Sequence, residues 1–198
     1  MSSHDHNTVF TVLLIRHAQS VAPGTADFDE YTRPLTEKGF RDADLLAESL
    51  ASTRIDGAYS SPYIRASQTI EPIAKARGLT IETIADLRER VLKPGDLPDW
   101  RTHLQRSWND FDYALPDGES GRGAQARVVR VLDEVRARHS DGEVAILASH
   151  GNLIALALHA FIPGVDYAFW ESIRMPALFT LVHDEERWRV LAASPHPF

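Results

Sequence analysis

Two short apolar runs, Val9 to Ile15 and Val144 to Ala148, do most to limit what this chain can fold into. Both consist mainly of β-branched and aliphatic residues, neither alternates cleanly between polar and apolar, and each ends in a polar cluster. A strand with one face in water alternates, whereas a strand apolar on both faces must be covered on both, as a parallel strand is by helices above and below. The intervening sequence supplies such helices. From Thr36 to Leu50 the residues Phe40, Ala43, Leu46, Ala47 and Leu50 recur at helical spacing, with Thr36 as N-cap. Gly57 to Ser60 reads as a strand. Pro62 suits the first turn of a helix that Gly78 ends, and Leu79 to Ile84 reads as a further strand. After Val144 to Ala148 comes an apolar helix ending near Pro163, then a terminal pair of strands, Leu178 to Val182 and Trp188 to Leu191, turning at Asp184-Glu185-Glu186.

This pattern predicts an α/β fold: a single three-layer αβα domain over residues 1–198, with a mainly parallel sheet and helices on both faces. One segment, about 91–123, stands apart as a short insertion or lid over one edge. It holds Lys93-Pro94-Gly95, a short helix with Trp100, Leu104 and Trp108, and the turn Pro116-Asp117-Gly118. The tryptophan stripe has the spacing of a core-facing helix, with one indole a candidate for bordering a pocket.

Composition removes several function classes. There is no cysteine, so disulfides, thiolate catalysis and cysteine-ligated metals are excluded. A formal charge of −7 disfavours nucleic acid and anionic membranes as partners, and no apolar run is long enough to span a bilayer. With no secretory signal at Met1 to Asn7, the chain reads as cytoplasmic, and a homodimer stays open. His4 and His6 in that polar segment, and His196 near the other end, read as solvated. His103, His139, His159 and His183 read as structural or solvated.

Open parallel sheets bind ligands at the carboxyl ends of their strands. Three polar clusters follow predicted strands there: Arg16-His17-Ala18-Gln19-Ser20, Ser60-Ser61-Pro62 leading to Arg65, and Ser149-His150-Gly151-Asn152. A single Arg-His at a strand end has a bland explanation in a helix cap or a surface ion pair. Two arginines and two histidines converging on one crevice repel one another unless an anion lies between them.

These clusters resemble the histidine phosphatase superfamily, which includes the cofactor-dependent phosphoglycerate mutases. The resemblance is carried in order by Arg16-His17-Ala18-Gln19-Ser20, by Ser61-Pro62-Tyr63-Ile64-Arg65-Ala66-Ser67-Gln68-Thr69, by Leu87-Arg88-Glu89 and by Ser149-His150-Gly151, with Arg33-Pro34-Leu35-Thr36-Glu37-Lys38-Gly39 preceding the first helix. It implies the phosphoglycerate mutase-like fold and an in-line attack by His17 on phosphorus, giving a phosphohistidine. It further implies that Arg16, Arg65 and His150 bind phosphoryl oxygens and that Glu89 is the proton donor and acceptor, with no metal or other cofactor. Glu89 alone reads as a surface carboxylate pairing with Arg88 or Arg90, and Asp86 is a nearby competitor. Gln19, Ser20, Gly151 and Asn152 are candidate substrate contacts. Asp117-Gly118-Glu119-Ser120 reads as a turn and helix cap without catalysis.

Departures from the mutase pattern at Gln19, Pro23, Phe28-Asp29 and Val91 favour water over a second hydroxyl as acceptor. The expectation is therefore a metal-independent phosphatase acting on a small phosphate monoester. Phosphoglycerate mutase-type transfer, a phosphohistidine protein phosphatase and a non-catalytic phospho-ligand binder remain the alternatives.

Overall fold

Strand β1, Phe10–Arg16, lies inside a six-stranded sheet and is buried along almost its whole length. The structure is a computed structural model that describes residues 9–25, 28–184 and 187–194. His4, His6 and His196, and Glu185 and Glu186 of the expected last turn, lie outside the described residues. The lack of alternation in β1 is explained by its two faces. Phe10, Val12 and Leu14 pack with Val128 and Leu132 of α4 (Gly121–Arg136) and with Leu153 and Leu156 of α5 (Gly151–His159). Leu13 and Ile15 pack on the opposite side with Leu46 of α1 (Glu37–Ser49) and with Ile70 and Ile73 of α2 (Ile64–Ala76). Each fully buried side chain of this size stabilises the fold by about 1.5–3 kcal/mol. The result is three layers, helix on sheet on helix.

The other strands are β2 (Gly57–Ser60), β3 (Ile81–Thr83), β4 (Val144–Ser149), β5 (Ala177–Asp184) and β6 (Arg187–Ser194). Their order is β3-β2-β4-β1-β5-β6, parallel from β3 through β1 and antiparallel at β5 and β6. The register sets Arg16 beside Ser149 and Ser60 beside Ala148. The three polar clusters of the sequence therefore leave the sheet side by side at one level.

Helix α1 starts where Thr36 accepts a hydrogen bond from the Gly39 N–H at 3.0 Å, a cap worth about 1 kcal/mol. Its buried face differs from the expected one. Gly39, Ala43 and Leu46 point inward and Phe40 is 44% exposed. A Cβ at position 39 would collide with the carbonyl oxygen of Gln19, so the loop after β1 packs directly on the helix backbone. The helix of the insertion, α3 (Trp100–Asn109), packs Leu104 inward, accepts from Arg90 through Ser107 and sets Trp100 against Trp170. A short helix not expected from the sequence, α6 (Tyr167–Ser172), is capped by Asp166. No helix of the described residues is long and apolar enough to cross a membrane.

Candidate active site

The loop after β1 is held by partners that leave His17 little freedom. Its N–H donates to Ser149 O at 3.0 Å and continues the parallel ladder for one residue. The next N–H, of Ala18, donates to Thr69 Oγ1 at 2.9 Å, and Thr69 in turn donates to Arg65 O at 2.7 Å. Gln68 Oε1 accepts from Leu35 N at 2.9 Å. The last two residues of the Arg65–Thr69 run thus act as backbone clamps.

The His17 ring is buried, and its Nδ1 lies 2.7 Å from the carbonyl oxygen of Ala18. A carbonyl only accepts, so Nδ1 carries the proton and Nε2 keeps its lone pair. Arg65 Nε donates to that lone pair at 3.3 Å. Burial above all, and then the charge of Arg65, holds the ring well below the ordinary histidine value, so it is neutral and nucleophilic at neutral pH. His150 stands edge-on to it with ring centroids 5.1 Å apart. Its Nε2 is 2.7 Å from Ser61 Oγ, while its Nδ1 is buried without a partner. Burial, followed by the repulsion that a second protonated ring would meet from His17, pushes His150 down in the same way.

Two guanidiniums flank the rings. Arg16 donates through Nη1 to Ile173 O, and its Nε is buried with no partner. Gly151 makes room for it: a Cβ there would lie 2.9 Å from Arg16 Cζ and 3.0 Å from Nε. Gly151 thus meets Arg16 directly, which gives it a positioning part that its place in the sequence did not reveal. Arg65 is buried over the Tyr63 ring, 4.7 Å from its centroid. Burial and then the charge of Arg33 press Arg65 downward, and the carboxylates of Glu30 and Glu89 counter them.

Glu89 pairs with neither guanidinium offered by its neighbours. Its carboxylate accepts from the N–H groups of Asn152 at 3.0 Å and Leu153 at 2.9 Å, at the positive end of α5, and from the Arg90 N–H at 2.9 Å. The turn before it is tied to β4, with Ser149 Oγ donating to Leu87 O at 2.8 Å. Asp86 is taken up by ion pairs with Arg88 and Arg130. Gln19 is exposed and bound to Thr36, and Ser20 Oγ accepts from Arg33 Nη1 at 2.7 Å, so both serve the loop itself. Among the described residues no three His, Asp or Glu side chains are grouped as metal ligands would be.

A family pattern described as the histidine phosphatase superfamily, branch 1, matches residues 12–194. The chain belongs to that superfamily. It is 29% identical over 195 residues, 91% of its own length and 89% of the other's, to phosphoserine phosphatase 1 of Hydrogenobacter thermophilus. It is 31% identical over 162 residues, 76% of its own length and 74% of the other's, to the probable phosphoglycerate mutase GpmB of Yersinia pestis. In fold it resembles a mycobacterial glucosyl-3-phosphoglycerate phosphatase solved with inorganic phosphate, with a TM-score of 0.74 at 23% identity over 93% of this chain and 98% of that one.

Glu30, which no motif of the sequence marked, joins Arg33 of the segment before α1 beside these residues. Arg33, buried, bonds Ser20 and Val21 O, and its Nη2 meets Glu30 Oε2 at 3.0 Å. The same Glu30 oxygen accepts from Arg65 Nη2 at 2.9 Å, and Glu30 O accepts from Arg65 Nη1 at 2.7 Å. Burial pushes the Glu30 carboxyl up, but its bonds to Arg33 and the charge of Arg65 outweigh this and hold it below the ordinary range. Asp29 builds the turn that presents Glu30, accepting from the N–H groups of Tyr31 and Thr32 at 2.8 Å. The Phe28-Asp29 departure from the mutase pattern is therefore the base of this counter-ion.

Proposed function

We propose that the chain is a phosphoric monoester hydrolase that passes the phosphoryl group through Nε2 of His17. The observation that carries this is the fixed tautomer. Nδ1–H is held by Ala18 O, so Nε2 keeps its lone pair, which accepts from Arg65 Nε at 3.3 Å and would exchange that bond for phosphorus when Arg65 turns to the phosphoryl oxygens, with the His150 ring alongside. In the first step Nε2 attacks phosphorus, the bond from phosphorus to the ester oxygen breaks, and Glu89 gives its proton to the leaving alcohol. In the second, water attacks phosphorus, Nε2 leaves with its electron pair, and Glu89 takes the water's proton.

Charge accumulating on the three equatorial oxygens would be met by Arg16, Arg65 and His150, each charge-assisted bond contributing about 1.5–3 kcal/mol. His150 serves this role in the tautomer in which Ser61 donates to Nε2, since Nδ1 then carries a proton that no protein group uses. A single domain acting on a small phosphate ester accords with one continuous sheet and with relatives named as phosphatases.

Turnover of an aryl phosphate and of glycerol 3-phosphate, measured in chelator, tests this. His17→Ala should abolish both. Glu89→Gln should slow the alkyl ester by about 10²–10⁴-fold and the aryl ester, whose leaving group needs no proton, far less. Wild-type activity surviving His17→Ala would overturn the mechanism. Interconversion of phosphoglycerates primed by the bisphosphate, with little phosphate released, would favour the mutase alternative.

A further inference from the structure

Glu89 lines a cavity of about 140 Å³. Its apolar walls are Leu92, Trp100, Leu104 and Trp170, drawn from the insertion and from α6, and the two indoles meet at 88° with centroids 6.2 Å apart. An apolar cavity of about 150 Å³ takes up a benzene ring, so this one has room for a single ring or a short branched chain.

The polar lining comes from Asn152 and Arg90 as well as Glu89. Asn152 is 5% exposed, and both Oδ1 and Nδ2 are buried without a hydrogen-bond partner. Arg90 is 6% exposed; Nε and Nη1 are bound to Glu119 O at 2.9 Å and Ser107 Oγ at 2.8 Å, while Nη2 is buried and unpaired. Native proteins rarely leave buried donors and acceptors empty, and three such atoms on residues lining one small cavity mark it as a place for a ligand.

We propose that this cavity is the leaving-group subsite, and that it selects phosphate monoesters whose alcohol carries about one ring's worth of apolar surface and a hydrogen-bond acceptor. It rests on the phosphatase chemistry proposed above, because Glu89 links the two: the alcohol that it protonates is the group that fills the cavity. The acceptor would take a bond from Asn152 Nδ2 or Arg90 Nη2 once that side chain turns its buried N–H into the cavity. A compact zwitterion such as phosphoserine fits poorly, because it leaves the indole and leucine walls unfilled.

The test compares kcat/KM of the full chain on benzyl phosphate, its three carboxybenzyl isomers, glycerol 3-phosphate and phosphoserine. Benzyl phosphate should exceed the two small esters at least tenfold, a ratio expected of one well-filled apolar pocket, and one carboxybenzyl isomer should exceed benzyl phosphate. Trp100→Ala and Trp170→Ala should shrink the benzyl-to-glycerol ratio to under threefold, and Asn152→Leu should remove the carboxybenzyl advantage. Hydrolysis with phosphoserine equal to or above benzyl phosphate, or a ratio unmoved by both tryptophan variants, overturns the subsite alone. Binding of vanadate without hydrolysis of any ester overturns the phosphatase chemistry and the subsite with it.

Discussion

A methyl group added at Gly151 sets helix propensity against the position of Arg16. Gly151 is the first residue of α5, and alanine in a helix is favoured over glycine by at most about 1 kcal/mol. Against this, the new Cβ would lie 2.9 Å from Arg16 Cζ, 3.0 Å from Nε and 3.2 Å from Nη2. Ordinary carbon contacts begin near 3.5 Å, so the guanidinium must retreat by about 0.5 Å or more. It can do so by turning on its stem, without unfolding the chain. If that removes one charge-assisted bond to the phosphoryl group, worth about 1.5–3 kcal/mol, kcat/KM falls about 10- to 150-fold. Stability should change by no more than about 1 kcal/mol, which for this size is a Tm shift within about 4 °C. The assay pairs thermal melts with kcat/KM on an aryl phosphate for Gly151→Ala, Arg16→Ala and the double variant. In the Arg16→Ala background the added methyl should cost under threefold, because its target is gone. A Gly151→Ala enzyme within threefold of wild type, or an equal loss in both backgrounds, would refute the reasoning.

The buried histidines make stability depend on pH. His17 and His150 are held well below their ordinary value in the fold, so between about 6.5 and their folded values the unfolded chain binds more protons. Their contribution is complete above about pH 6.5 and is lost as pH falls below it; urea melts from pH 7.5 to 5 should show a shallower loss in a His17→Asn, His150→Asn double variant, and an unchanged slope would contradict this. Glu30→Gln should tighten inorganic phosphate or vanadate several-fold, since Arg65 then surrenders no ion pair, while weaker binding would mean that the carboxylate positions Arg65 instead. Arg127, nearly buried, is gripped by both oxygens of Glu119 and donates to the carbonyls of Asp86 and Arg88. Arg127→Met should cost about 3–5 kcal/mol in urea unfolding, and should lower kcat by loosening the turn that holds Glu89.

What could be read from the sequence was what local chemistry and periodicity encode. Thr36 capped the helix assigned to it, Gly57 to Ser60 is the strand it appeared to be, and the unalternating runs around Leu13 and Ile146 are buried on both faces. Phe40 misled because periodicity counts apolar side chains, while the inward place belongs to Gly39, whose value is having no side chain for the Gln19 carbonyl to meet. Glu30, and the part that Arg33 plays beyond heading the segment before α1, escaped notice for a different reason. Each is an ordinary surface residue type whose partners, Arg65 and Ser20, are brought to it only by the fold. Trp170 gave no warning either, since it meets Trp100 across a gap of seventy positions from a helix too short to show a period.

The parallel pairing of β1 with β4 has a consequence for how the chain is made. Thr11 pairs with Val144, and on its other side β1 pairs with β5 beginning at Ala177. At ordinary elongation rates the strand that carries His17 would leave the ribosome on the order of ten seconds before either neighbour exists. Closing loops of that length is slow, and an unpaired apolar strand is exposed to aggregation meanwhile. His17 is thus synthesised well before its strand can be housed, so the appearance of activity in a translation reaction reports that β4 and β5 have docked.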